Sequence, residues 1–152
     1  MIVMGIDSST TSTGYCILDN EANKIISVGC IKPNKKLSTI ERIIYIEKEL
    51  KAVWKQYEPE YILIEELVTF RNSNVSRILI GLIQHLVIEF TKYNALIVLV
   101  RPTEWRKGKL KSKYREDLKL ESKEYVKNKY EIEVNDDESD AVLISEFKVE
   151  VL

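Results

Sequence analysis

Hydrophobic residues fall into short unbroken runs at the start of the chain and into stretches of helical spacing beyond residue 38. Residues 2–7 (IVMGID) form a continuous apolar run that ends in an acid, and a polar turn, SSTTST, follows at 8–13. Such a run predicts a strand covered on both faces. Residues 14–19 (GYCILD) and 24–31 (KIISVGCI) predict two more strands around a turn at 20–23, so the chain opens as an antiparallel meander. Pro33 and the lysines after it end that segment. From Ser38, an N-cap with Glu41 three residues on, the positions Ile40, Ile43, Ile44, Ile46, Leu50, Val53 and Trp54 recur at helical spacing. Residues 61–66 (YILIEE) and 95–100 (ALIVLV) predict buried strands. Between them, residues 75–90 are apolar around most of a helical circumference, which requires cover on two sides. Pro102 and Thr103 start a short helical turn, 108–114 is a lysine-rich loop, and 118–130 and 139–149 predict the last two helices. Strands alternating with helices, without repeats or a Pro/Gly-rich linker, predict an α/β fold.

The chain has 152 residues, 45% of them hydrophobic, which suits one domain over residues 1–152. No stretch reaches the roughly 20 apolar residues of a membrane span, and Asp7 comes too early for a signal peptide. A cytoplasmic protein without a membrane partner is expected. Cys16 and Cys30 lack metal-type spacing and read as small buried hydrophobes. The net charge of −1 hides an asymmetry. Residues 101–129 carry 11 Lys/Arg against 5 Asp/Glu, and residues 130–152 carry 1 against 8. A basic stretch beside an acidic one suits phosphate binding next to metal binding, with two solvated helical faces of opposite sign as the competing explanation.

The acids carry the candidate chemistry. Asp7 ends the first apolar run, Glu65 and Glu66 end a later one, and Asp137 and Asp140 stand at i and i+3 in DDESDAVLI. Charge at the tip of a buried strand is costly unless something compensates it, and a bound cation is the usual compensation. Asp7 and Glu65 meet if their strands are neighbours, at the carboxyl edge where open α/β sheets place their sites. Asp137 and Asp140 then close the site from one helical face. Four carboxylates suit Mg2+, with Mn2+ as a substitute, better than Zn2+, and a two-ion arrangement of this kind predicts phosphodiester hydrolysis. His85, inside the apolar helix, is expected to pack or hydrogen-bond there and not to act as a base.

GIDSSTTSTGY, ILIEELVTFRN and DDESDAV together resemble, in order and spacing, the three acidic motifs of RuvC-type Holliday junction resolvases of the RNase H-like (retroviral integrase) superfamily. Trp105 after Pro102 is more similar to the bacteriophage RuvC-like branch. The resemblance implies a five-stranded mixed sheet flanked by helices, with the antiparallel meander joined to parallel strands. It implies Asp7, Glu65, Asp137 and Asp140 as the Mg2+-binding catalytic tetrad, and a homodimer that nicks four-way junctions and other branched DNA symmetrically. Counting back from Arg71 and Asn72 selects Glu65 over Glu66. Ser8 and Ser9 stand where the family has Pro-Gly after the first aspartate. Phe70 lies two positions beyond the family's aromatic at the branch point and is a candidate DNA contact, as is Arg71. Arg106, Lys107, Lys109, Lys111 and Lys113 fall where the family contacts phosphates. Lys123 resembles a lysine beside the scissile phosphate and is a candidate for stabilising developing charge.

Two other classes compete. GIDSSTTSTG also resembles the phosphate-binding hairpin of sugar kinases and actin-like ATPases, which would make the chain part of a nucleotide phosphotransferase, although those proteins pair two such domains. The other class is a junction-binding protein without catalysis. The apolar excess of residues 75–90 independently predicts a two-fold dimer through that helix.

Overall fold

The computed structural model describes residues 1–68 and 73–150. Its sheet contains five strands, β1 (Ile2–Asp7), β2 (Thr13–Asp19), β3 (Lys24–Ile31), β4 (Tyr61–Glu65) and β5 (Leu96–Val100), in the order β3-β2-β1-β4-β5. The β1-β2 and β2-β3 pairs are antiparallel, and β1-β4 and β4-β5 are parallel. This is the mixed sheet of the RNase H-like fold.

Strand periodicity decides which side chains meet which helices, because alternate residues face opposite sides of a sheet. Met4, Ile6, Ile17, Ile62 and Ile64 pack on one side against α1 (Thr39–Tyr57) and α2 (Ser73–Phe90), through Ile46, Leu50, Leu82, Leu86 and Phe90. Val3, Cys16, Leu18 and Leu63 face the other side, under α5 (Asp136–Ser145) and α4 (Arg115–Tyr130). By the same alternation Asp7, four positions after Val3, and Glu65, two after Leu63, project toward α5. The register sets Ile6 beside Ile64, so the two acids follow at adjacent strand ends.

Two glycines let α5 lie close on the sheet. A methyl at Gly5 would come within 2.4 Å of the Ala141 carbonyl oxygen, and one at Gly14 within 2.1 Å of the Asp137 carbonyl oxygen. Gly14 is the register partner of Asp7, so the absence of its side chain brings the start of α5 to the end of β1. Ala141, Val142, Leu143 and Ile144 are all fully buried, as expected of a helix sandwiched between a sheet and another helix.

The helix α1 begins with the predicted capping box, in which Ser38 accepts from the Glu41 amide and the Glu41 carboxylate accepts from the Ser38 amide. Its spacing does not translate wholly into burial, since Ile40 is 71% and Ile44 51% exposed. The last helix differs most from expectation. It spans Asp136–Ser145 instead of 139–149, because Asn135 and Glu138 form a second capping box that starts it earlier. In α2 the helix α1 covers part of the surplus apolar face, while Val75 (61%) and Ile88 (59%) stay exposed. Among the described residues no helix is long and apolar enough to cross a membrane.

Candidate active site

Asp7 and Glu65 stand at the carboxyl ends of two parallel neighbours, and the turn after Asp7 is knotted by its own hydroxyls. Ser9 Oγ accepts from the Thr11 and Ser12 amides, while Thr13 Oγ1 accepts from the Ser9 amide and donates to the Ser9 carbonyl. These bonds fix the Ser/Thr turn and aim Ser12 at the helix opposite. Ser12 Oγ donates to Asp137 Oδ2 at 2.6 Å.

Asp136 and Asp137 lie in the first turn of α5, where the exposed amides and the helix dipole favour negative charge. Asp140 follows one turn later and accepts from Ser122 Oγ of α4 at 2.8 Å. Glu65 Oε2 accepts from the indole Nε1 of Trp105 at 2.7 Å. Trp105 belongs to α3 (Pro102–Trp105), the short helix directly after β5. Three of the four acids are therefore held by a neutral donor from another element.

Crowding buried carboxylates raises their affinity for protons. Burial pushes Asp7 well above the usual carboxylate range, and Glu65, Asp140 and Asp137 add to the rise while Arg106 opposes it. Burial likewise raises Glu65 to about 7 against the pull of Arg106 and the Trp105 hydrogen bond, with Asp140 adding to the rise. Asp140 is raised by burial, opposed by Ser122 and Arg106, with Asp137 and Asp136 contributing. A set of hard oxygen donors that repel one another in a partly dry site fits a divalent ion of the Mg2+ type. Among the described residues no three acidic, imidazole or thiol side chains are drawn tightly enough to chelate an ion as they stand. The acids converge through their fields without closing.

The Glu65-Glu66 doublet divides cleanly. Glu66 points away from Asp7 and lies 3.4 Å from Arg101 at the surface. The basic residues divide as well. Lys107, Lys111 and Lys113 are exposed, and Glu121 pins their loop by accepting from the Lys111 and Ser112 amides and the Ser112 hydroxyl. Lys109, expected in the same surface set, turns inward instead: its Nζ lies 3.0 Å from both Glu146 and the Leu143 carbonyl oxygen. Arg106 sits at the acid cluster, its guanidinium 4.6 Å from the centre of the Trp105 ring. Lys123 pairs with Asp136 at 3.0 Å, on the rim of the cluster. Phe70 and Arg71 lie outside the described residues. His85 is on the opposite side of the sheet, with Nε2 4.0 Å from Glu47. Cys16 is buried as expected, whereas Cys30 is only half-buried and contacts Ser12.

Ser12, Ser122 and Trp105 are site residues that sequence reasoning missed as acid partners. Ser12 was in view as part of a turn, and Trp105 as a mark of a subfamily. Nothing in a linear pattern pairs Trp105 with an acid 40 positions away.

Residues 3–92 match the family of crossover junction endodeoxyribonuclease RuvC. RuvC of Fusobacterium nucleatum is 40% identical over 75 residues, 48% of this chain and 40% of that protein. RuvC of Alkaliphilus oremlandii is 32% identical over 112 residues, 71% of this chain and 67% of that protein. The aligned part of the chain thus spans less than half of the first relative and two thirds of the second. Among solved structures, Thermus thermophilus RuvC in complex with a Holliday junction substrate superposes with a TM-score of 0.80 at 15% identity, covering 97% of this chain and 91% of that one. Fowlpox virus resolvase with Holliday junction DNA gives a TM-score of 0.60 at 20% identity, covering 95% of this chain and 94% of that one. At such identities the likeness concerns the fold alone, but the family match covers more than half of the residues, and the chain belongs to the RuvC family.

Proposed function

We propose that the chain is a divalent-metal-dependent endonuclease that nicks Holliday junctions and other branched DNA. The observation that carries this is that Asp7 and Glu65 end the neighbouring strands β1 and β4 while Asp137 and Asp140 face them from α5, close enough for all three to act on the Asp7 carboxyl, in a chain of the RuvC family. Metal dependence belongs to the family, and these four acids are the residues that would hold Mg2+ or Mn2+. Bound there, divalent ions would supply Lewis acidity and offset the repulsion between the acids and a phosphodiester. The protein's part is to orient and to neutralise. Ser12, Trp105 and Ser122 fix three of the carboxylates, and Arg106 places a permanent positive charge beside them. Lys123 is assigned to stabilise charge developing on the phosphate, released for this from Asp136, which Lys119 also contacts at 3.4 Å.

DNA contacts are assigned to Arg106, Lys107, Lys111 and Lys113, with Phe70 and Arg71 of the segment after β4. The exposed apolar residues of α2 support a homodimer, which would present two acid clusters to a two-fold junction. The similarity carried by Trp105 after Pro102 supports placement in the phage-like branch, with the chain working as a single RNase H-like domain in the cytoplasm. The test is nicking of end-labelled four-way junctions, forks and flaps in Mg2+, beside linear duplex and beside ATP hydrolysis. Junction nicking without ATPase activity supports the proposal, and ATP hydrolysis without nicking supports the phosphotransferase reading.

A further inference from the structure

Trp105 is 1% exposed and is wedged in the core cluster that includes Leu63, Val100, Val126 and Val142. Its Nε1 bonds Glu65 at 2.7 Å, whereas Asp137 and Asp140 take their bonds from serine hydroxyls. The difference matters chemically. A hydroxyl rotates and can donate or accept, while an indole N–H is a donor only and points where the ring points. Packing fixes this ring, and the Arg106 guanidinium lies over it at 4.6 Å. A fixed donor on Oε2 sets the rotation of the whole Glu65 carboxylate.

We propose that Trp105 is a positioning residue for the acid cluster, its indole N–H holding Glu65 in the orientation that receives a divalent cation. This rests on the metal-dependent reading above. A purely structural tryptophan would fill the core and find a partner for its own N–H without affecting how the site takes an ion. Outer hydrogen bonds to metal-holding side chains commonly govern metal affinity by about 10–100-fold.

The experiment compares wild type with Trp105→Phe, which keeps an aromatic ring and removes the donor. Mn2+ binding to the free protein is followed by the electron paramagnetic resonance of unbound ion, with no DNA and no turnover required. Trp105→Phe is expected to lose about 10-fold in Mn2+ affinity. The Mg2+ concentration for half-maximal junction nicking should rise to match. A folded variant with wild-type Mn2+ affinity overturns the assignment. If Trp105→Phe fails to fold, the indole 15N–1H resonances of the wild type decide, Trp105 being identified by its shift in Glu65→Gln. Titration with Mg2+ should move the Trp105 resonance and leave that of Trp54, whose N–H has no partner among the described residues. An unmoved Trp105 resonance in protein that binds the ion overturns the assignment. A wild type that binds no Mn2+ sinks the metal-dependent reading, and the inference with it.

Discussion

Glu65 is the residue at which burial, hydrogen bonding and charge meet, and its environment has a consequence for stability. Its carboxyl is raised from 4.5 to about 7, so the folded protein binds that proton more tightly than the unfolded chain. The contribution to stability is fully present below about pH 4.5 and is lost as the pH rises through about 7. Removing the charge should therefore stabilise the metal-free protein in alkali. Glu65→Gln is expected to raise the melting temperature at pH 8 by about 2–4 °C for each kcal/mol recovered, and to leave it nearly unchanged at pH 5. Mg2+ should raise the melting temperature of the wild type at pH 8 and do little for Glu65→Gln. A shift independent of pH, checked by calorimetry, would show that the carboxylate is not the group responsible. The same substitution should abolish nicking while Glu66→Gln, at a surface glutamate beside Arg101, is mild. The reverse order would move the site by one residue along β4. Asp7 and Glu65 stood out in the sequence because charge at the end of an apolar run is costly wherever it occurs, and Asp137 and Asp140 by their i, i+3 spacing. The sequence did not reveal their donors, since Ser12, Ser122 and Trp105 reach their acids only through the packing of separate elements.

Among the elements, α5 decides whether the site assembles, and Gly14 decides where α5 can lie. Gly14→Ala would press a methyl against the Asp137 backbone, costing about 1–3 kcal/mol and displacing the acids from Asp7. Denaturant melting and a nicking assay should show both effects together, and a Gly14→Ala protein with wild-type stability would contradict the close approach. The basic loop gives a second contrast. Replacing Lys107, Lys111 and Lys113 with alanine should weaken DNA binding and flatten its salt dependence by about 0.9 for each phosphate no longer neutralised. Lys109→Ala should instead cost about 1–3 kcal/mol of stability and leave that slope alone, because its ammonium is spent on Glu146 and Leu143. If the Lys109 variant changed the salt slope as the others do, its inward placement would be wrong. The strands were readable from their apolar runs to within a residue or two, and α1 from its capping box. The start of α5 was misplaced because Asn135 and Glu138, a capping pair of the same kind, were hidden in an acidic run. The inward turn of Lys109 was equally unreadable, since its partner belongs to another part of the chain.

For the whole molecule, exposed apolar surface on α2, such as Ile88, supports the proposed two-fold assembly. Sedimentation at micromolar concentration is expected to give a dimer that Ile88→Glu breaks, and a strict monomer would remove the simplest basis for symmetric cleavage. The fold class and the site's position at the carboxyl edge of the sheet were legible from the alternation of strands and helices. The proposed association rests in the sequence only on a surplus of apolar surface. The claim on which everything rests is that Asp7 and its neighbours form a metal-dependent nuclease site, and a labelled four-way junction tests it most directly. In Mg2+ the wild type should cut opposing strands as a pair of nicks. Asp7→Asn should cut neither while binding the junction at least as tightly, having lost one negative charge facing the phosphate. Undiminished nicking by Asp7→Asn, or no nicking by the wild type, would contradict the account.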